Sequence, residues 1–257
     1  MELSRQNDMS KKIAKFTISF ILILVIIGVF SFSRPQEVSA AVTLIANTSA
    51  AGFGETTTAG INTTGADFIV IGLAIDDGYN GTPSDSKSNT WTQVSNTYTQ
   101  TNVRVRMWYT RPTSVGTSHT FTVPANPIGS IFVAAFSGVN LSTTDQQNGA
   151  NGFASSLATG SITPTQNGAL LISLLGINAV GLPISINNSF TLIDDEEFVS
   201  GTNYGGGMAW RLQDPAAAIN PTWTRTNTNG MAATVISFKI FVPNRTAVMW
   251  FQDDDEI

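Results

Sequence analysis

Asp67-Phe68-Ile69-Val70-Ile71-Gly72-Leu73-Ala74-Ile75 is written a second time, 102 residues on, as Ala169-Leu170-Leu171-Ile172-Ser173-Leu174-Leu175-Gly176-Ile177. Other blocks follow in the same order. Asn89-Thr90-Trp91-Thr92-Gln93-Val94 lies over Asn188-Ser189-Phe190-Thr191-Leu192-Ile193 at an offset of 99. The offset then returns to 102 for Trp108 over Trp210, Thr120-Phe121-Thr122 over Thr222-Trp223-Thr224, and Phe136 over Phe238. Val, Ile, Thr, Phe and Trp dominate each block and turn formers separate them, which is the pattern of short strands. Asn102 to Met107 alternates, with Arg104 and Arg106 on one face, and reads as a half-buried strand. Phe68 to Ile75, Ile131 to Phe136, and their partners Leu170 to Ile177 and Ala232 to Phe238 are apolar on both faces. Such runs predict central strands covered on two sides.

The predicted fold is therefore all-β, with two sequence repeats. Two arrangements satisfy it: a single pseudo-symmetric β-sandwich, jelly-roll-like, in which each copy hides the other's apolar surface, or two immunoglobulin-like sandwiches. The first is preferred. The connection from Asn140 to Thr165 carries apolar beats at Phe153, Leu157 and Ile162, so it reads as further strand rather than free linker. Val42 to Ile45 offers an additional edge strand. The organisation read from the chain is a signal peptide over 1–40, a first β repeat over 41–143, a second over 144–243 packed with the first, and an acidic C-terminal tail over 244–257.

The address is extracellular. Arg5, Lys11, Lys12 and Lys15 precede an apolar run from Phe16 to Phe32, and Val38-Ser39-Ala40 then supplies the small residues that a signal peptidase requires. Retained uncleaved, that 17-residue run would be a membrane anchor near the lower length limit. Export permits disulfides, yet the chain has no Cys, so stability rests on core burial and strand pairing. Five of the 13 Lys and Arg and three of the 18 Asp and Glu lie in the first 40 residues, which leaves the remainder at a net charge of −7. That balance repels phosphate backbones and argues against nucleic-acid binding.

The series Gly65-Ala66-Asp67, Asp85-Ser86-Lys87-Ser88-Asn89-Thr90-Trp91-Thr92, Met107-Trp108-Tyr109, Thr120-Phe121-Thr122-Val123 and Ala135-Phe136-Ser137-Gly138-Val139 resembles a widespread pattern in secreted bacterial surface proteins. The resemblance covers most of residues 60 to 240. It implies a β-sandwich at the cell surface and no defined activity.

A residue type kept in both copies is most simply a packing residue. Trp91/Phe190, Trp108/Trp210, Phe121/Trp223 and Phe136/Phe238 are thus predicted core. The unmatched aromatics are the candidates for function, above all Tyr79 with Asn80 and Tyr204 with Asn203, in segments that read as loops. Rings flanked by amides and carboxylates suit a sugar, stacked on its C–H face, although a loop tyrosine more often covers its own turn. Asp76 and Asp77, and Asp194 and Asp195, offer hard oxygens for Ca²⁺, without the spacing of a calcium loop. Solvated acidic loops are the simpler reading. No other cofactor is implied. Asp85 to Asn89 reads as a hairpin turn before Trp91. The single His, His119, matches Pro221 at the 102 offset and has no nucleophile motif beside it. The sequence reading is a non-catalytic surface protein with a structural or adhesive role. A lectin-like, carbohydrate-binding module working through Tyr79, Tyr204 and the acidic loops is second, and a glycan-active enzyme using those four aspartates is third. Partners are glycans or other surface proteins. Val248-Met249-Trp250-Phe251 in the tail suggests self-assembly by strand addition to a neighbour.

Overall fold

The computed structural model describes residues 41–240 except 95–96, 101, 125–127, 140, 180–181 and 199–203. The expected signal peptide, the expected acidic tail and Asn203 lie outside the described residues. The described residues belong to one compact unit. It is all-β, and no helix occurs among the described residues.

The first copy contributes β1 (Thr43–Phe53), β2 (Thr56–Thr57), β3 (Phe68–Asp76), β4 (Ser84–Asp85), β5 (Thr92–Gln93), β6 (Tyr98–Gln100), β7 (Val103–Thr110), β8 (Phe121–Val123) and β9 (Ile128–Ser137). The second contributes β10 (Leu141–Ala158), β11 (Ala169–Ile177), β12 (Ile184–Ile186), β13 (Thr191–Phe198), β14 (Tyr204–Gln213) and β15 (Thr222–Ile240). One antiparallel sheet runs β1-β9-β3-β7-β5, with β6 also on β7, and the other runs β10-β15-β11-β14-β13, with β12 on β15. The two orders are the same once β1, β3, β7 and β9 are read as β10, β11, β14 and β15. The duplication seen in the sequence is thus a duplication of topology, and the two copies form a two-repeat β-sandwich.

Alternation along the strands divides the apolar side chains into three cores. Phe68, Val70 and Ala74 of β3 face Leu170, Ile172 and Leu174 of β11 in a core shared by both sheets, joined by Phe136 and Phe238. Phe68 sits at its centre, with ring centroids 5.0 Å from Phe238 and 6.1 Å from Tyr109. The other faces of the same strands build a second and a third core. Ile69, Ile71, Leu73 and Ile75 pack with Trp108 and Phe121, beneath a small sheet β2-β8-β4. Leu171, Leu175 and Ile177 pack with Trp223 and Phe190, beneath β12 and the Ile162–Ile219 bridge. Each copy therefore folds its own connections back over its sheet, which is why the central strands are apolar on both faces.

Gly72 faces Leu174 and Ala74 faces Gly176, so β3 and β11 run side by side in the same direction. A Cβ on Gly176 would lie 2.9 Å from Val105 Cγ1, and one on Gly206 would strike the Leu175 carbonyl and Ala74. Glycine at these two places lets the sheets approach closely.

One expected equivalence fails. The ladders set Ile71 opposite Trp108 but Ser173, its counterpart, opposite Ala209. Trp210 is therefore one residue past the position of Trp108, and a slip of one residue turns a side chain to the other face. Trp108 fills the outer core of the first copy, whereas Trp210 turns to the shared core and meets Phe136 edge-on at 5.3 Å. In the second copy Trp223 is buried in the outer core instead, its indole N–H donating to Ser173 Oγ at 2.9 Å. Arg106 departs from the solvent-facing side chain expected of a half-buried strand. It is buried, lies over the Trp108 ring at 4.5 Å, and donates to the carbonyls of Tyr79 and Gly81 and to Gln93 Oε1. Loop 77–81 covers this face.

Candidate functional site

The structure corrects the predicted sugar platform. Tyr79 is in a loop as expected but is only 8% exposed, and its hydroxyl donates to the Pro124 carbonyl at 2.9 Å. Tyr204 opens β14 rather than lying in a loop, and is 1% exposed in the shared core. Burial raises both hydroxyl pKa values; for Tyr204, Asp76 and Asp77 push in the same direction. Neither ring is available to stack on a sugar. The largely apolar ring of a tyrosine gains more from covering the adjacent core than from facing water. Asn80 is exposed, and its Oδ1 accepts from Arg104 at 3.0 Å.

The predicted calcium ligands also fall apart. Asp76 Oδ1 accepts the Gly78 N–H, an Asx turn. Asp194 and Asp195 lie on β13 opposite Met208 and Gly207, in a strand rather than a loop. Successive strand residues point to opposite faces, so these neighbours cannot converge on one ion. Among the described residues no three His, Asp or Glu side chains form a cluster fit for a metal. Burial first, and then Asp194 and Glu197, raise the Asp195 pKa. For Asp145 burial pulls the same way, but hydrogen bonds from Thr165 and the charge of Lys239 outweigh it and the pKa falls. The consequences for stability have opposite signs. Ionised Asp195 costs stability as pH rises through its elevated pKa, whereas Asp145 contributes stability that is lost as pH falls through its depressed one. Asp195→Asn is expected to raise the melting temperature at neutral pH and Asp145→Asn to lower it. Both differences should shrink in thermal melts carried down towards roughly pH 3.

The most elaborate polar site went unnoticed in the sequence. Asp85 has a fully buried carboxylate. Its Oδ1 accepts from Lys87 N at 2.8 Å, Asn89 Nδ2 at 3.1 Å and His119 Nε2 at 2.9 Å. Its Oδ2 accepts from Asn89 N at 3.2 Å and from Trp91 Nε1 at 2.8 Å. Asn89 carries the network on to Thr113 N and Ser114 N. His119 Nδ1 lies 2.9 Å from Thr63 Oγ1, and its ring stacks on Phe121 at 4.4 Å. A carboxylate is acceptor-only, so in the neutral ring Nε2 carries the proton and Nδ1 accepts from Thr63. The hub ties together segments 63–66, 84–91 and 113–119. Asp85 to Asn89 does form the expected turn into Trp91, and this is the reason for its sequence.

Hydroxyl, imidazole and carboxylate in this order are the parts of a nucleophile triad. Thr63 and His119, however, are fully buried. The Thr63 hydroxyl also accepts the Gly116 N–H at 3.1 Å, so a carbonyl substrate has no approach. The second copy shows what the fold itself requires there. Asp85 pairs with Phe121 as Ile186 pairs with Trp223, and the Ile61–His119 bridge recurs as Ile162–Ile219. The strand pairing sets Ile186 against Asp85 and the bridge sets Ile219 against His119, in registers that differ by two residues along 219–223, so at both backbone matches the second copy carries isoleucine. The only signal available in the sequence was the co-occurrence of Asp85, Asn89 and a lone His.

A second feature is duplicated and exposed. Phe53 pairs with Ile128, and Phe153 pairs with Gly230. Ile128 and Gly230 are counterparts, being next to Gly129 opposite Ile75 and to Met231 opposite Ile177. Phe53 and Phe153 are therefore equivalent residues, at an offset of 100, and each is 66% exposed. Because β3 and β11 run in the same direction, both rings lie at the same end of the sandwich. Gly52-Phe53-Gly54 and Gly152-Phe153-Ala154 carried this signal, outside the blocks aligned at 102 and 99. Comparison with protein-family models, with curated proteins and with solved structures returns no match.

Proposed function

We propose that this protein is exported and serves a non-catalytic structural or adhesive role at the cell surface. The observation that carries the reading is the pair Phe53 and Phe153. Both copies keep the same large apolar ring in water at the same place, where packing gives no reason for it. The buried polar groups support it from the other side. Asp85, His119, Arg106 and Asp145 are engaged in fixing loops and strands, which gives a rigid body for presenting a surface. The apolar run Phe16 to Phe32 followed by Val38-Ser39-Ala40 supports export.

Beads coated with residues 39–257 are expected to adhere to apolar surfaces, and the double variant Phe53→Ala, Phe153→Ala should lose adhesion several-fold while keeping its melting temperature. Equal adhesion of the double variant overturns the assignment to these rings. Release of reducing sugar from a glycan panel would place the protein among enzymes instead. Binding to a glycan array that the double variant loses would favour the lectin-like alternative.

A further inference from the structure

The four outer strands of the two sheets are protected very unequally. Natural sheets guard their edges with charge, proline, bulges or short strands. On the first sheet the β5/β6 side is broken into strands of two and three residues. On the second, β13 carries Asp194, Asp195, Glu196 and Glu197 in succession. The opposite edges are β1 and β10, each backbone-paired with one neighbour only, β9 or β15. Their register shifts fall outside two regular stretches, Ala46 to Phe53 and Gln147 to Ala154. Neither stretch contains a charged residue or a proline, and the equivalent exposed phenylalanines stand at the ends of both. Side chains lean each edge on the other sheet, through Asn47 and Ser49 to β13 and through Asn151 to Thr99.

We propose that these stretches are matched strand-addition edges whose partner is a second copy of this chain, with β1 of one molecule pairing with β10 of the next and Phe53 and Phe153 sealing the junction. Charge selects this pairing. The chain beyond the leader is strongly acidic, and a contact through β13 would bring four carboxylates against the neighbour. A β1–β10 contact pairs two uncharged stretches: Asp145, the one charge on β10, lies outside its stretch and is bound to Thr165 and Lys239, and Glu196, the carboxylate beside β1, is held by Ser49 Oγ at 2.7 Å. β1 lies along β13 and β10 along β6, so the two open edges are on opposite sides of the sandwich. A contact between unlike edges then propagates instead of closing, which gives linear arrays. The inference rests on the structural and adhesive reading above, whose surface it would multiply along an array.

The test is sedimentation equilibrium of residues 39–257, which include the whole compact unit, with Phe53→Lys and Phe153→Lys. The wild type should rise in weight-average mass beyond about twofold with concentration, as an open association does. Each Lys variant alone should stay monomeric, because every molecule then lacks one of the two required edges. An equimolar mixture should form heterodimers and nothing larger. Melting curves and the milder Phe53→Ser and Phe153→Ser confirm that the edges, and not the fold, are affected. A monomeric wild type overturns the proposal, as does dimerisation of either Lys variant alone, which would mean like-to-like pairing. Deletion of 244–257 that abolishes assembly while the Lys variants still assemble would assign the added strand to the tail instead. The bead assay on the same samples separates the claims. A monomeric yet adhesive wild type overturns only the assembly, and an assembling but non-adhesive one overturns the adhesive reading.

Discussion

Asp85→Ala is expected to destabilise the protein by roughly 3–5 kcal/mol, the cost of removing one member of a buried charged network. His119 Nε2, Asn89 Nδ2, Trp91 Nε1 and two backbone N–H groups all lose their acceptor at once, and none can reach water without moving the loops that seal it. The second copy suggests the rescue. Because the second copy builds its outer core with apolar Ile186 and Ile219 in this region, Asp85→Ile combined with His119→Ile should recover much of the loss, as replacing both partners by apolar groups usually does. Chemical denaturation of the single and double variants measures both. A cost for Asp85→Ala below about 1 kcal/mol would mean that the hub is wet and contributes no more than surface pairs do.

Phe68→Ala is expected to cost roughly 3–5 kcal/mol, the range for truncating a buried phenylalanine. The ring is fully buried and touches Tyr109, Phe136 and Phe238, the last from the other copy. Its removal opens a cavity that neither sheet can close alone. The sharper consequence is cooperativity. Since the central core belongs to both copies, unfolding should remain a single transition in the wild type and the variant, with Trp fluorescence and far-UV circular dichroism shifting together. Two transitions, only one of them displaced by Phe68→Ala, would mean that the copies are independent sandwiches.

Sequence by itself determined the all-β class, the duplication and the doubly covered central strands. Period-two patterning and turn formers are local properties, and a domain-length repeat survives as text. The aromatic pairs Phe121/Trp223 and Phe136/Phe238 were legible as core because a large ring recurs on the same strand of both copies, and around Phe136/Phe238 the ladder keeps the 102 offset. What needed the tertiary structure were the relations that depend on register or on contacts distant in sequence. Trp108 and Trp210 match as letters but face opposite cores, because one slipped residue reverses a strand's faces. Tyr79 and Tyr204 read as loop aromatics, yet neighbouring elements bury them. The Asp85 hub joins residues from Thr63 to His119, and no local pattern announces it. Phe53 and Phe153 look like two more apolar residues of strand-like sequence until the ladders show that both copies leave them in water.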